Sequence, residues 1–412
     1  MIKVHLISLG CPKNLVDSEK ILGSIGASGV AITPSAPKSD IIIINTCGFI
    51  RPAVKETEDV IKKTIQQCRN KKIYVYGCGV NRMKENLKSK FPEINNWFKL
   101  EEKDQLIKSI TNSNKKNSRL VSTCGYAYLK IADGCSNRCS YCTIPSIKGE
   151  HKSFDMEELI KESLELAKLG IREIILIAQD TTRYGIDLYH KPILVPLVRE
   201  ISKLKGIEWI RIMYAHPKGI DDELIGEMER NKKICKYLDL PIQHINNRIL
   251  NLMNRGYNRK DVEEIIKKLK KIKNFTLRTS VIVGFPTEQD KEFDELCDFL
   301  KTGYFDWVGV FPFYCEPETE AGKLPQLPKE VIKARYKRVT KIQKSLICSK
   351  NRIRVGSIYK TLIHTHNGLF WGHTEFSAPA IDGQVIVKNQ KLTPGNFYNL
   401  KMIKTKGTDL YA

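Results

Sequence analysis

The first third of the chain alternates short apolar runs with amphipathic stretches of helical period. β-branched and aromatic runs predict strands at Lys3 to Leu9, Asp40 to Thr46 and Lys72 to Tyr76. Helical periodicity fills the intervals at Asn14 to Ile25 and Pro52 to Gln67, the second opening with proline in its first turn. This order of elements favours a doubly wound parallel sheet.

The same alternation of strands and helices continues from Tyr126 to about Lys350. Six strands with helical crossovers suit an open, partial (βα)6 barrel better than a full eight-stranded one. The predicted strands are Tyr128 to Ala132, Glu173 to Ala178, Trp209 to Met213, Tyr237 to Leu240, Thr276 to Val283 and Trp307 to Val310. The predicted helices include Met156 to Leu169, Arg259 to Lys271 and Asp290 to Lys301.

The last segment, Arg354 to Ala412, loses helical periodicity. Short β-rich runs alternate there with turn signals at Asn367-Gly368, Asp382-Gly383 and Pro394-Gly395. This pattern predicts a small antiparallel β-barrel.

A polar stretch from Thr111 to Arg119 has the composition of a linker. At 412 residues the chain is also too long for one ordinary core. We therefore predict an α/β protein with an N-terminal doubly wound domain, a central partial barrel and a small C-terminal antiparallel β-barrel. The predicted domains cover residues 1–118, 125–350 and 351–412.

The composition is that of a globular protein, with 42% hydrophobic and 28% charged residues. No apolar run reaches the roughly 18 residues that a membrane helix needs, and Met1 to Gly10 lacks a cleavable signal pattern, so we expect a cytoplasmic protein without a membrane partner. The net charge of +22 favours an anionic partner such as RNA or a ribosome. A general bias towards lysine along the chain explains that charge equally well.

Twelve cysteines in a cytosolic chain indicate metal ligands or redox chemistry rather than disulfides. The densest group is Cys135-Ser-Asn-Arg-Cys139-Ser-Tyr-Cys142, here called the cysteine loop. Its three thiolates can bind three irons of a 4Fe-4S cube and leave the fourth iron free for a substrate. A structural zinc site is the alternative, but zinc normally closes four ligands in paired short spacings, and His151 is the nearest imidazole.

Three more cysteines, here called the strand-end cysteines, are Cys11, Cys47 and Cys78. Each directly follows a predicted parallel strand of the first third of the chain. The carboxyl ends of such strands converge on one crevice of a doubly wound sheet, so we expect these thiols to be neighbours and to form a second cluster site. The alternative is that they are small buried apolar side chains.

The cysteine loop resembles the radical S-adenosylmethionine (SAM) superfamily, which places this spacing after its first barrel strand. With the strand-end cysteines and the C-terminal barrel, nearly the whole chain resembles the methylthiotransferase family, whose members end in a TRAM barrel. Gly-Cys-Pro-Lys-Asn at the first cysteine differs from Gly-Cys-Gln-Met-Asn, which is typical of the tRNA-modifying branch. The motifs that resemble the RimO branch, which modifies small-subunit ribosomal protein S-twelve, are Ser8-Leu-Gly-Cys-Pro-Lys-Asn-Leu-Val-Asp-Ser-Glu19, Asn45-Thr-Cys-Gly-Phe-Ile50, Tyr184-Gly-Ile-Asp-Leu-Tyr189, Asp239-Leu-Pro-Ile-Gln-His244 and Ala378-Pro-Ala-Ile-Asp-Gly383.

This resemblance implies two 4Fe-4S clusters and two SAM molecules. One SAM would methylate a sulfur atom on the open iron of the strand-end cluster. The other would be cleaved at the cysteine-loop cluster to a 5′-deoxyadenosyl radical, which takes hydrogen from the β-carbon of an aspartate in the ribosomal protein. The carbon radical would then collect the methylthio group, which requires both clusters to face one cavity.

The resemblance also implies contacts with SAM. Tyr141 would lie against the adenine. Gln179 and Asp180 would bind the amino-acid part, and Gln243 and Arg278 the ribose or carboxylate. Ordinary loop capping or surface hydration is the alternative for these last four residues.

One departure from the family pattern concerns a SAM-contacting turn. After Gly284-Phe-Pro286 the family commonly has Gly-Glu, whereas this chain has Thr287-Glu288.

The implied partners are the ribosomal protein or the small ribosomal subunit, and an electron donor such as flavodoxin or ferredoxin. The basic C-terminal segment adds the option of an RNA contact and keeps open a tRNA adenosine methylthiotransferase as the alternative. A non-catalytic zinc- and RNA-binding protein is the remote alternative.

Overall fold

The computed structural model describes residues 1–111, 118–366, 369–388 and 391–412, and the chain divides into two compact units. The first comprises residues 1–122, 133–137 and 142–151, and the second comprises 123–132, 138–141 and 152–412. Residues 112–117 of the predicted linker and the predicted turn Asn367-Gly368 lie outside the described residues. The division into three predicted domains stays a prediction.

The first unit contains a five-stranded parallel sheet in the order β2-β1-β3-β4-β5, which is a doubly wound order. The sequence predicted β1, β3, β4, α1 and α2 to within two residues, whereas β2 and β5 are too short to show a period. The elements are β1 (Lys3–Ser8), α1 (Pro12–Ala27), β2 (Ala31–Ile32), β3 (Ile41–Thr46), α2 (Arg51–Gln67), β4 (Lys72–Gly77), α3 (Cys78–Lys90), β5 (Asn96–Phe98) and α4 (Lys103–Lys108).

The central strand β3 is buried on both faces because helices cover both sides of the sheet. Ile41 and Ile43 pack with Ile21 and Ile25 of α1. The alternate residues Ile42 and Ile44 pack with Ile61 of α2. Successive side chains of a strand point to opposite faces, so an unbroken isoleucine run fits a sheet that is covered on both sides.

The second unit contains the predicted six parallel barrel strands, in the order β13-β12-β11-β10-β9-β6, with β6 and β13 as its two edges. This arrangement confirms a partial (βα)6 barrel. Apolar residues of the crossover helices and of the buried strands form one continuous core. The bounds are β6 (Tyr126–Lys130), β7 (Ala132–Asp133), β8 (Lys152–Ser153), α6 (Met156–Lys168), β9 (Glu173–Ile177), α7 (Ile186–Tyr189), α8 (Leu194–Lys203), β10 (Trp209–Ile212), α9 (Asp222–Arg230), β11 (Ile234–Asp239), α10 (Asn247–Leu252), α11 (Arg259–Leu269), β12 (Thr276–Val283), α12 (Asp290–Lys301) and β13 (Trp307–Pro312). Between β7 and β8 the chain forms the short helix α5 (Ile144–Lys148), which belongs to the first unit, as does Asp133 of β7.

The C-terminal strands form a sheet in the order β17-β14-β15-β16-β19-β18. It is antiparallel, as predicted, apart from the parallel pair β16 and β19. The 26-residue helix α13 precedes it and runs through the predicted boundary at residue 350. The bounds are α13 (Lys329–Arg354), β14 (Ile358–His366), β15 (Leu369–Thr374), β16 (Val385–Val387), β17 (Phe397–Lys401), β18 (Lys404–Lys406) and β19 (Asp409–Tyr411). Across the described ranges, no helix has both the length and the apolar character of a membrane span.

Candidate metal centres

The strand-end cysteines lie at one edge of the first sheet. Cys11 follows β1 and caps α1, Cys47 follows β3, and Cys78 begins α3 directly after β4. These three strands are neighbours in register, with Ser8 opposite Asn45 and Thr46 opposite Gly77. The thiols therefore converge at the carboxyl edge, where the strand order reverses between β1 and β3 and where doubly wound sheets bind their ligands.

The backbone around these thiols leaves no room for additional side chains. Gly10 has a φ of +85°, and a Cβ added to it would lie 2.8 Å from Cys47 Cβ and 3.0 Å from its Sγ. Glycine is therefore required at position 10, because any Cβ there would collide with Cys47.

Two asparagines that the sequence analysis did not single out fix this edge. Asn14 Nδ2 donates to the carbonyls of Leu9 and Thr46, at 3.0 Å each. Asn45 Nδ2 donates to the carbonyl of Asn14 and to Ser18 Oγ, at 2.9 Å each. Together they connect the turn that carries Cys11 with the strand that carries Cys47. The sequence does carry a sign of this role at Asn45, a polar residue that follows four isoleucines in the same strand.

Burial favours the protonated form of two of these cysteines, Cys47 and Cys78. Burial, with smaller contributions from Cys11 and Cys47, raises the pKa of Cys78 to about 12, although the Lys148 ammonium opposes them. Burial likewise raises the pKa of Cys47. Lys148 is itself buried and forms an ion pair with Asp133, with 2.9 Å between Nζ and Oδ1. Thiols of this kind become ligands only when a metal makes the thiolate favourable.

Within the part of the chain that the structure describes, no three His, Cys, Asp or Glu side chains are arranged so that they could hold a metal ion. Ligation of a cluster by the strand-end cysteines therefore stays a prediction.

The cysteine loop follows β6, whose carboxyl end lies at an edge of the barrel sheet. Cys135 is buried, and Cys139 and Cys142 are half-buried. The Cys135 N–H donates to the carbonyl of Gly149 at 3.0 Å. Gly134 has a φ of +66°, and a Cβ there would lie 1.9 Å from the carbonyl oxygen of Glu150. The entry to the loop thus also depends on glycine.

A residue that the sequence analysis missed, Arg255, contacts this loop. Its Nη1 donates to Cys139 Sγ at 3.2 Å. The residues beside it hold the loop backbone: Asn254 Nδ2 donates to the carbonyl of Arg138 at 2.7 Å, and the Ser140 N–H donates to that of Met253 at 3.1 Å.

Three of the residues predicted to contact SAM differ in what surrounds their side chains. Tyr141 packs beside a cluster that includes Met253 and Phe313. Gln179 is half-buried just beyond β9. Asp180 is buried, and its Oδ1 accepts from Thr182 N–H at 3.1 Å and from Thr182 Oγ1 at 2.6 Å. That carboxylate oxygen caps a short helical turn, as the alternative reading of the sequence had it.

Gln243 follows β11, and Arg278 belongs to β12. Gln243 has a φ of +64° and bridges to Val281 of β12. Arg278 is the third residue of β12, on the amino-terminal half of the strand. Its Nη1 donates to Asp239 at 2.7 Å, and its Nε lies 3.4 Å from Asp382. These contacts favour a structural link to the C-terminal segment, and the predicted SAM contact of Arg278 stays a prediction.

The departure at Thr287 has a visible backbone consequence. Thr287 has a φ of +65°, a region that favours glycine and is rare for a β-branched residue. The neighbouring Glu288 is buried and accepts from Gly284 N–H at 2.7 Å, from Arg335 at 2.5 Å and from His244 at 3.1 Å. Buried hydrogen bonds of Glu288 thus hold the turn in this chain, and His244 is a satisfied structural histidine.

Family models cover the three parts of the chain. The Radical SAM superfamily model matches residues 129–300, the family described as uncharacterized protein family UPF0004 matches 3–99, and the TRAM domain matches 355–412. The solved radical SAM methyltransferase TsrM from Kitasatospora setae, in its complex with tryptophan and a SAM analogue, has a TM-score of 0.57 at 14% identity, over 89% of this chain and 79% of that chain. The fold and the cysteine loop thus define a radical SAM enzyme.

Full-length relatives narrow this class. The ribosomal protein uS12 methylthiotransferase RimO of Caldicellulosiruptor saccharolyticus is 40% identical over 436 positions, covering 100% of this chain and 99% of the relative. The protein of the same name from Aquifex aeolicus is 39% identical over 417 positions, covering 99% and 96%. This chain belongs to the RimO family of methylthiotransferases, which confirms the resemblance drawn from its motifs.

Proposed function

We propose that this protein is a radical SAM methylthiotransferase that adds a methylthio group to the β-carbon of an aspartate in ribosomal protein uS12. The observation that carries the proposal is the full-length identity to uS12 methylthiotransferases together with the convergence of Cys11, Cys47 and Cys78 at one sheet edge. The tRNA alternative is not favoured, because these relatives are uS12 enzymes along their whole length.

The cofactors are 4Fe-4S clusters and SAM, which supply a carbon-centred radical and a methylthio group when bound. In the proposal the strand-end cysteines hold one cluster and the cysteine loop holds the other. The remaining proposed SAM contacts are Tyr141, Gln179, Asp180, Gln243 and Arg278.

In the proposal, the chain's own residues prepare the strand-end site in two ways. Cys11, Cys47 and Cys78 bind the metal as thiolates, so the site favours an ion that stabilises that form. Asn14 and Asn45 hold two of the strand ends in register through buried hydrogen bonds.

The partners follow from the substrate. We include uS12, free or within the small ribosomal subunit, and a one-electron donor such as flavodoxin or ferredoxin. The TRAM match at residues 355–412 supports an RNA contact by the C-terminal sheet. A ribosomal substrate places the enzyme in the cytoplasm.

Mass spectrometry of uS12 from cells with and without the gene tests the function. We expect the intact strain to carry one methylthio group on an aspartate of uS12 and the deletion strain to lack it, with restoration by a plasmid copy. Methylthio groups lost from tRNA nucleosides instead would contradict the proposal and support the tRNA alternative. A colourless purified protein with bound zinc would contradict both.

A further inference from the structure

The segment Leu252 to Tyr257 holds the middle of the cysteine loop at several points. Ser140 Oγ donates to the carbonyl of Leu252 at 2.6 Å, in addition to the bonds made by Ser140 N–H and Asn254. Asn254 and Gly256 have φ values of +54° and +68°, which turn the segment sharply around Arg255. The side chain of Arg255 is thereby aimed at one sulfur of the loop.

Every nitrogen of the Arg255 guanidinium is used, and the group is fixed. Nε donates to Tyr257 Oη at 2.9 Å, Nη2 donates to the carbonyl of Pro241 at 3.0 Å, and Nη1 donates to Cys139 Sγ at 3.2 Å. The Tyr257 hydroxyl donates in turn to the carbonyl of Ile242 at 2.8 Å. Of these three contacts, only the one with Cys139 reaches a group that becomes a thiolate when it binds a metal.

Arg255 is buried with 7% of its surface exposed, yet no carboxylate of the described residues forms an ion pair with it. The ring of His216 packs against Tyr257, and its pKa is lowered to about 2 by burial and then by Arg255, Lys218 and Arg183. An unpaired buried cation is costly, so the position fits a negative counter-charge that arrives at Cys139.

We propose that Arg255 is a positioning residue that acts through Cys139 and raises the reduction potential of the cysteine-loop cluster. The inference rests on the proposed ligation by Cys139. Reduction adds one electron from the external donor and breaks no bond, and it makes the thiolate-ligated cluster one charge more negative. A fixed cation that donates to a ligand sulfur stabilises that reduced state more than the oxidised one.

The test is a redox titration of the full-length protein with both clusters reconstituted, followed by electron paramagnetic resonance of the signal that changes on addition of SAM. We expect Arg255→Gln to lower the equilibrium constant for one-electron reduction at least tenfold, which corresponds to about 59 mV. Arg255→Lys keeps the charge but loses the fork geometry, so we expect a smaller shift of the same sign. The matched control is Arg259→Gln, because the Arg259 guanidinium pairs with Glu263 and Glu295.

The proposal would be overturned if the Arg255→Gln protein has its full iron content and its equilibrium constant for one-electron reduction is within twofold of that of the parent. If that variant binds too little iron, Arg255→Lys decides: a shift of the same sign supports the proposal, and an unchanged potential overturns it. The variant Cys139→Ala distinguishes a failure of the proposed ligation by Cys139 from a failure of the proposed role of Arg255. Retention of the SAM-responsive signal in that variant would refute ligation by Cys139, whereas its loss, with no shift in Arg255→Gln, would refute the role of Arg255 alone.

Discussion

The turn that carries Cys11 excludes a side chain at position 10, and Gly29 offers a matched comparison. Both glycines have left-handed φ values, +85° and +83°, but only a Cβ at Gly10 would meet another atom, since nothing lies within 4 Å at Gly29. We expect Gly29→Ala to lower the free energy of unfolding by about 1–2 kcal/mol. Gly10→Ala should cost about 1–3 kcal/mol more, because its Cβ collides with Cys47. Urea denaturation of the metal-free protein measures both, and equal losses would contradict the close approach.

Cys47 tests the proposed division between the two clusters. Replacing it with alanine should remove about four irons per chain and stop methylthio transfer, while the cysteine-loop cluster still cleaves SAM to 5′-deoxyadenosine. Cys68→Ala is the control, because Cys68 is a buried cysteine at the end of α2, outside the candidate site. Iron analysis and product chromatography give the readouts. Full iron content in Cys47→Ala would rule out this ligand.

The cysteines themselves could be predicted, but their supporting residues could not. A buried isoleucine run before Cys47 and a spacing of three and two residues around Cys139 are local patterns. Asn14 and Arg255 act on carbonyl or sulfur atoms that lie 32 and 116 positions away in the chain. Their partners become visible only after the strands and the barrel have brought these segments together.

At the scale of elements, a buried polar chain joins barrel strands β9 and β10 to C-terminal strands β14 and β15. Glu173 accepts from Arg211 at 2.7 Å and also contacts His373. His364 lies 2.7 Å from His373, between their ring nitrogens, and also contacts the carbonyl of Cys124. Arg211 donates to the carbonyl of Thr374, the last residue of β15, and to that of Glu375, which follows it. Removing any one of these hydrogen-bonded side chains would leave a buried polar partner unsatisfied.

Acidification should weaken this chain of contacts. Burial opposes ionisation of Glu173, but Arg211 and His373 lower its pKa from 4.5 to about 2, so its stabilising contribution is present above pH 4.5 and is lost towards pH 2. Burial lowers the pKa of His364 from 6.5 to about 3, so its contribution falls between pH 6.5 and 3. Glu173→Gln should cost about 3–5 kcal/mol at pH 7, since Arg211 is left buried without its carboxylate. The difference from the parent should shrink as the pH falls below 4.5.

Glu208→Gln is the comparison for Glu173→Gln, since Glu208 also pairs with a C-terminal residue, Lys360, but at the surface. Its loss should cost no more than about 1 kcal/mol. Chemical denaturation at several pH values measures both variants. Equal costs, or a pH-independent cost for Glu173→Gln, would contradict the buried link.

The sequence predicted helices and strands correctly where one or both faces of the element are clearly apolar. Helix α13 was missed because its buried residues, Arg335, Val339, Ile347 and Asn351, form a narrow stripe that is half polar. The parallel pairing of β16 with β19 was also missed, because strands of three residues carry no signal for their direction. Tertiary contacts decided both features.

At the scale of the whole molecule, the charge of +22 needs a location before it can indicate a partner. Lys401, Lys404 and Lys406 are exposed on and beside the last strands of the C-terminal sheet. If this sheet contacts ribosomal RNA, replacing the three by glutamate should weaken binding to the small ribosomal subunit about tenfold at low salt. The slope of log affinity against log salt concentration should also decrease by roughly 3, one unit for each lost phosphate contact.

The control for this charge reversal carries the same change elsewhere on the surface. Lys260, Lys267 and Lys271 are exposed on or just beyond α11, outside the TRAM match, and their replacement by glutamate gives the same net charge. Filter binding at several salt concentrations compares the two triple variants. If only the C-terminal variant loses affinity, the RNA contact lies on that sheet. The two variants have the same net charge, so their overall attraction to a polyanion is reduced equally. Equal losses would assign the effect to the overall charge, and the lysine excess would then be only a feature of composition.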